Sequence, residues 1–508
     1  MATTRGESRL RLLVGRLQWI HAAPLLAVLT LGAWAFASPI GAGPDDDYHL
    51  ASTWCAVGGS EACAPGSKAN SREMSHAFIA VRCYAQEPTV SAACQDEQGL
   101  ALDGPTVDSD RGNFQKEYPG VYYAAMRAFA GDDLERSALV MRFVNLTVFV
   151  GLATALSVLL TPSRRQTLLW GWLISMVPLG IFLIPSNNPS GWAITGVGTA
   201  FLALLGWFES DGKRRWVLGA LYVLGVVMAA GARGDAAVYA VGATVVAAIL
   251  TSARQRDWLM RALLPLGGLL VIGLLFLTST QADVGVHGFS GGGPVTGTGA
   301  GDQAVEATGG LALAAYNLLM LPYLWTGVWG TWALGWFDTT LPAIVPWAAV
   351  AAFVVVGFAG LGLLSWRKAV ALAGTFAVLV ALPVYVLTAG GDSVGSQVQP
   401  RYLLPLIVLF ALLLVTAPPG SRTVRFTRAQ TAAILSALAI ANLVALQVNI
   451  RRYVTGADEQ GADLGEGAEW WWDGVAVGPM AVWIIGSLSF IGLLAVLWPQ
   501  LRLKAIAR

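Results

Sequence analysis

The feature that most limits this chain is a succession of apolar runs, each about as long as the roughly 20 helical residues needed to cross a 30 Å hydrocarbon core. They lie near 18–38, 138–160, 168–185, 191–208, 216–232, 236–251, 258–278, 342–364, 369–388, 402–417, 431–449 and 476–498. The fold expected is therefore an all-α polytopic membrane protein with about 12 transmembrane helices. Composition agrees, since 55% of the 508 residues are hydrophobic and only 12% are charged. The interval 311–337 is also apolar, but Pro322 and Gly327 break it and Trp325, Trp329, Trp332 and Trp336 stud it, so it reads as interfacial or re-entrant.

Charge sets the expected orientation. Arg5, Arg9, Arg11 and Arg16 keep the N-terminal tail in the cytoplasm, and an even number of spans returns Arg502, Lys504 and Arg508 to the same side. With that threading the cytoplasmic segments hold most of the 32 Lys and Arg but only four acids, Glu7, Glu209, Asp211 and Asp257. The "AFA" at 35–37 resembles a signal-peptidase site, but the apolar run before it is longer than a signal core, which favours an uncleaved anchor. The expected organisation is a cytoplasmic tail (1–17), a first span (18–38), a large external loop (39–137) and spans two to seven (138–278). A Gly-rich external loop with the interfacial segment (279–341), spans eight to twelve (342–498) and a second cytoplasmic tail (499–508) complete it.

Cys55, Cys63, Cys83 and Cys94 all fall in loop 39–137, where an oxidising compartment lets them pair. The sequence permits three connectivities. Local pairing, Cys55 to Cys63 and Cys83 to Cys94, is the expectation, as a structural staple and not a zinc or redox site. The Gly-rich 279–310 contains "GTGAG", but no strand precedes it and no basic residue lies within it, so it is not a phosphate loop. Nor is there a G-x-x-x-x-G-K-[ST], an H-E-x-x-H or a soluble domain large enough for a nucleotide. No nucleic acid is among the expected partners; the lipid bilayer is.

What remains is polar chemistry gathered at span ends. Asp45, Asp46 and Asp47 follow the first span in "GAGPDDDYHL"; Asn187, Asn188 and Ser190 form the turn "SNNPSG". Arg233 and Asp235 stand in "GARGDAA", and Arg401 opens a span in "VQPRYLLPL". Singly each has a plain reading: a solvated loop or a structural Ca²⁺ site for the triplet, turn formers for the Asn, a local ion pair for Arg233 and Asp235. Together they suit transfer of a sugar from a lipid phosphate to a hydroxyl. A carboxylate serves as general base, a forked guanidinium holds the leaving phosphate, and no nucleotide is needed.

Four ordered motifs also carry a resemblance: "PDDDYH" (44–49), "EYPGVYYAAM" (117–126), "NNPSGW" (187–192) and "QPRYLLP" (399–405). The first resembles the acidic signature in the first external loop of GT-C glycosyltransferases. The set resembles the bacterial membrane-protein family catalogued as domain of unknown function 2142. That resemblance implies Asp45 as base, Asp46 as its acidic neighbour and Arg401 as ligand of the donor phosphate; Arg233, from its charge at the same face and not from the resemblance, is a second candidate ligand of that phosphate. The pattern differs here in having Asp46 instead of Glu, Gly120 instead of a second Pro, and Pro400 where Gly is usual; with Asp47 as an added acid, the base is any of the three.

Asp47, His49, Tyr118, Tyr122, Asn188, Asp235, Trp471 and Trp472 are candidate supporting or acceptor-side residues. The tyrosines and tryptophans are also ordinary interfacial anchors, although three consecutive tryptophans beside Asp473 exceed what one belt position needs. The reading expected is an inverting glycosyltransferase of the bacterial plasma membrane, using a polyprenyl-phosphate sugar and an envelope glycan, lipid or protein acceptor. No cofactor is required, and a divalent cation at the acidic triplet stays open. The rivals are a transporter or flippase of a lipid-linked glycan and a non-catalytic membrane protein. Convergence of the acids with the arginines in space is the observation that separates them.

Overall fold

The computed structural model describes residues 19–56, 63–253, 256–281, 310–459, 461–472 and 476–502. Helix α1, Ala23–Phe36, is followed by an excursion from 37 to 133 that carries α2 (Asp46–Trp54), α3 (Ala77–Ala80), α4 (Cys94–Gln98) and α5 (Val121–Arg127). A small antiparallel sheet in it pairs β1 (Ala64–Pro65), β2 (Arg72–Ser75) and β3 (Thr106–Ser109) in that order. Disulfides Cys55–Cys63 and Cys83–Cys94 staple the excursion, the local pairing expected.

The helical body then runs through α6 (Leu134–Leu159), α7 (Pro162–Met176), α8 (Leu179–Leu183), α9 (Ser190–Glu209), α10 (Gly212–Ala232), α11 (Gly234–Thr251), α12 (Arg256–Arg261) and α13 (Leu263–Phe276). It continues as α14 (Gly310–Thr326), α15 (Ile344–Leu361), α16 (Trp366–Gly390), α17 (Pro400–Val415), α18 (Arg428–Val454) and α19 (Pro479–Leu501). Among the described residues ten helices are long and apolar enough to cross a membrane, and two shorter apolar ones, Ile20–Phe36 and Pro400–Val415, accompany them.

The fold is the expected polytopic bundle, with two local differences. The stretch 168–185 is not one helix: Pro178 has no N–H to continue the ladder and forces extended backbone on Val177 (φ −91°, ψ 129°), so α7 ends at Met176 and α8 restarts at Leu179. Conversely, the stretch read as interfacial or re-entrant contains α14 and a 3-10 turn, Gly327–Trp329, which together are long enough to span. Its tryptophans belong to packing: the indoles of Trp325, Trp329, Trp332 and Trp336 donate to the carbonyls of Leu379, Ile174, Tyr323 and Gly41. The Gly-rich 282–309 and Asp473 lie outside the described residues.

Helix α9 forms the centre, buried over nearly its whole length and packed on α10, α11 and α17. It meets α10 at Gly196 and Gly225, where an added Cβ would come within 2.6–2.7 Å of backbone atoms of the other helix; small residues permit that approach where lipid offers no hydrophobic drive.

Polar groups segregate to two ends. At one, the 37–133 excursion meets the turn 184–190 and the start of α17, with Pro44 carbonyl accepting from Asn188 (2.7 Å) and Arg401 (2.8 Å). At the other, Arg164 bonds Glu209 and the Ala417 carbonyl, Gln166 bonds Gln500, and Arg261 bonds Asp211 and the Phe208 carbonyl.

Candidate functional site

The acidic triplet enters α2 through a strained turn. Asp45 sits in the left-handed region (φ 60°, ψ 21°), which Asp tolerates better than most residues. Gly43 donates its N–H to Asp46 Oδ2 (3.1 Å), and a Cβ there would fall 2.4 Å from the same carboxylate. Arg401 Nη1 and Asn188 Nδ2 then fix the intervening Pro44 carbonyl. Two segments distant in sequence, at Asn188 and Arg401, thus hold one turn, a cost that structure rarely bears without use.

The three carboxylates have separate environments. Asp45 accepts from Arg401 Nη2 (2.5 Å) and Arg111 Nη2 (3.0 Å), and its side chain is 29% exposed, against 0% and 1% for Asp46 and Asp47. Burial opposes its ionisation, but the guanidiniums of Arg401 and Arg111 outweigh that and hold it well below the usual carboxylate range. Asp47 is gripped in a fork by Arg111 (2.9 and 2.8 Å), with Arg82 at 3.4 Å. Asp46 is fully buried. Desolvation pushes it up to about 6, despite Arg142 at 3.9 Å and the Gly43 N–H, and its Oδ1 has no partner.

Arginines extend the network on both sides. Arg401 also reaches Tyr402 Oη (3.2 Å), and the guanidinium of Arg233 lies 4.4 Å from the centre of the Tyr402 ring and 5.4 Å from that of Tyr118. Arg233 forks onto Asp235 (2.9 Å twice), which leaves its buried Nη1 unpartnered. His49, buried, pairs Nδ1 with Tyr123 Oη (2.8 Å) and leaves Nε2 without a partner. Burial holds its ring neutral, well below the usual histidine range. Tyr118 stacks edge-on against His49, and Tyr122 lies within 3.5 Å of Asn145.

The structure therefore brings Asp45, Asp46, Asp47, His49, Tyr118, Asn188, Arg233, Asp235 and Arg401 into one cluster. Trp471 and Trp472 are placed otherwise: buried, they pack edge-on against Tyr453 and Phe36, and Trp472 caps the Phe36 carbonyl (2.8 Å). They brace α1 against α18 and offer no open ring face for a sugar. Among the described residues no group of three His, Cys, Asp or Glu side chains is arranged to hold a metal ion; arginines stand where a cation would neutralise the triplet.

Space beside the cluster is limited. A narrow cleft lined by Pro44, Trp332, Phe337, Gln399 and Arg401 reaches it. A larger apolar groove of about 460 Å³ runs among α1, α6, α7 and α19, with Ile184 at the end nearest the Asn187 turn, and no carboxylate lines it.

The profile of the family described as "Predicted membrane protein (DUF2142)" matches residues 28–410, which takes in the acidic triplet, the Asn188 turn, Arg233 and Arg401. The chain belongs to this family. No curated protein and no solved structure matches it. Helices α18 and α19 lie beyond the matched region, so the site is built wholly from the part that defines this membrane-protein family.

Three arginines of the site escape the sequence reading: Arg82, Arg111 and Arg142. Arg111, in the loop "DSDRGN", has no motif to mark it. Arg142 does carry a signal: an arginine in the apolar run "SALVMRFVNLTVF" is costly in lipid and needs partners. It finds the carbonyls of Ala35, Ser38 and Pro39 and the side chain of Asn187, and so fixes the loop that leads to the triplet.

Proposed function

We propose that this protein is a membrane glycosyltransferase of the bacterial plasma membrane that moves a sugar from a polyprenyl-phosphate donor to an envelope glycan, lipid or protein, with its acidic end outside and both termini in the cytoplasm. Both disulfides lie at the acidic end, which suits an oxidising compartment. The observation that carries the reading is Asp45: the one partly exposed carboxylate of the triplet, tied directly to Arg401.

In this mechanism Asp45 takes the proton of the acceptor hydroxyl, whose oxygen attacks the anomeric carbon from the face opposite the phosphate. The bond from that carbon to the phosphate oxygen breaks, the electron pair leaves with the phosphate, and the configuration inverts. Arg401 and the unpartnered Nη1 of Arg233 receive the developing phosphate charge. In the resting protein Asp45 is a weak base, because Arg401 and Arg111 stabilise its anion. A bound donor phosphate draws Arg401 away and makes the carboxylate more basic, so base strength rises only when the donor is present.

The test is a transfer assay with purified protein in nanodiscs, a panel of polyprenyl-phosphate sugars and an envelope extract as acceptor. Donor-dependent transfer that disappears in a folded Asp45→Asn variant is expected. Wild-type transfer by that variant overturns the assignment of the base, and no transfer from any donor in the panel overturns the reaction.

A further inference from the structure

The far end of the molecule contains a cavity of about 220 Å³ that the acidic cluster does not explain. Arg164, Ser365, Arg367, Lys368, Thr416 and Pro418 are among its walls, and no lining residue is acidic. Arg164 is already neutralised: Glu209 takes Nε and Nη2, and the Ala417 carbonyl takes Nη1. Lys368 and Arg367 are not. The Lys368 side chain is fully buried, and its ammonium donates to the Leu414 carbonyl (2.6 Å) and the Gly360 carbonyl (2.9 Å), which leaves the third of its three hydrogens for the cavity. Arg367 Nε is buried without a partner.

A fully buried Lys368 ammonium and a partly exposed Arg367 guanidinium therefore share a small cavity with no acidic lining residue, although a buried charge is ordinarily paired. The carbonyls on Lys368 close the last turns of α15 and α17 and ease its burial, but they supply no anion. The same wall is the start of α16, whose first turn has no acid; the Ser365 hydroxyl already accepts the Lys368 N–H there, which leaves the N–H groups of Trp366 and Arg367 at the helix start. Trp366 at the rim is 70% exposed, as expected of a side chain at a membrane surface.

We infer that this cavity binds a phosphate-bearing anion, held by Lys368, Arg367 and the N–H groups at the start of α16. The shared chemistry has two sources, the headgroup of an anionic phospholipid or free phosphate. The site is independent of the reaction proposed for the acidic end.

The experiment uses the full chain in phosphatidylcholine nanodiscs and follows melting temperature in two arms, one adding phosphatidylglycerol to the disc and one adding inorganic phosphate to the buffer. A rise in the first arm only assigns a lipid headgroup, and a rise in the second assigns free phosphate. Arg367 is partly exposed, so Arg367→Gln should fold, and it should weaken the response on the order of tenfold through loss of a charge-assisted bond. Arg422→Gln, the same charge change on an exposed residue of the neighbouring loop, should respond like the wild type. No rise in either arm, or equal responses of the two variants, overturns the inference, the second because only general surface charge would then be at work.

Discussion

The two ends of this bundle both contain ion pairs, but of different kinds. At the far end one pair, Arg164–Glu209, is mostly buried, but the larger cluster is exposed: Arg261 meets Asp211 and Asp257 (2.7 Å each), carboxylates that are 84% and 62% exposed. At the acidic end Arg111 serves two carboxylates, Arg401 serves a carboxylate and a carbonyl, and the backbone of Asp45 is held in a disfavoured region. Exposed pairs are worth little and can be lost freely; a strained turn gripped by two distant segments persists only where the surroundings over-determine it. The comparison is the reason for placing the proposed chemistry at the acidic end, and it can be broken there.

The largest effect expected is on transfer by Asp45→Asn, which keeps the shape of the side chain but removes its basicity. General-base catalysis typically contributes 10² or more, so transfer should fall at least about 100-fold, while Asp211→Asn at the far end should leave it unchanged. Equal activities in initial-rate assays of the two variants would erase the distinction between the ends.

Arg401 should rank second. Arg401→Ala removes the proposed ligand of the leaving phosphate and should cost at least about tenfold in rate, since a charged hydrogen bond is worth roughly 1.5–3 kcal/mol. Arg401→Lys retains charge but loses the fork, and should fall between alanine and wild type. A lysine variant as slow as the alanine variant would show that geometry alone matters; normal transfer by a well-expressed Arg401→Ala would make Arg401 a structural clamp on Pro44.

A third expectation concerns pH, where neighbouring acids should act with opposite signs. Burial raises Asp46 to about 6 from an ordinary 3.8, so its contribution to stability is present below about 4 and is lost as pH rises through about 6. Asp45 is lowered, so its contribution is present above about 4 and disappears only in strong acid. Relative to Asp46→Asn, the wild type should therefore lose roughly 2 kcal/mol between pH 4 and pH 7, at about 1.4 kcal/mol per pH unit. Relative to Asp45→Asn it should not lose stability over that range. Melting curves of the three proteins at both pH values decide it, and parallel trends for the two variants would sink the idea.

Much of the bundle was legible because lipid imposes length and apolarity on every span. The exceptions have local causes: Pro178 splits a run that composition alone makes continuous, and the α14 tryptophans look interfacial until their indoles are seen donating to carbonyls inside the bundle. Asp45, Arg233 and Arg401 were legible because charge at a span end is uncommon and ordered. Arg111 was not, because a loop residue acquires meaning only from the three-dimensional path that brings it back to Asp45 and Asp47. Trp471 and Trp472 misled for the converse reason: a run of aromatics signals an exposed platform and a buried brace equally well, and only their burial separates the two.

The smallest effect expected is at Arg261. Its guanidinium bonds Asp211, Asp257 and the carbonyls of Phe208 and Ser210, a longer partner list than that of Asp45. Number of contacts is a poor guide, however, because both carboxylates stand mostly in water and lose little solvation or gain little pairing energy when the bridge forms. Asp211→Asn and Asp257→Asn should each change stability by less than about 0.5 kcal/mol, and the double variant should be close to additive because the carbonyl bonds still hold Arg261 in place. Salt should mute even that, since exposed pairs are screened within about 10 Å at 0.1 M. A salt-insensitive loss well above 1 kcal/mol in the double variant would mean that the Arg261 cluster, too, depends on a desolvated network, and its contrast with the acidic end would fail.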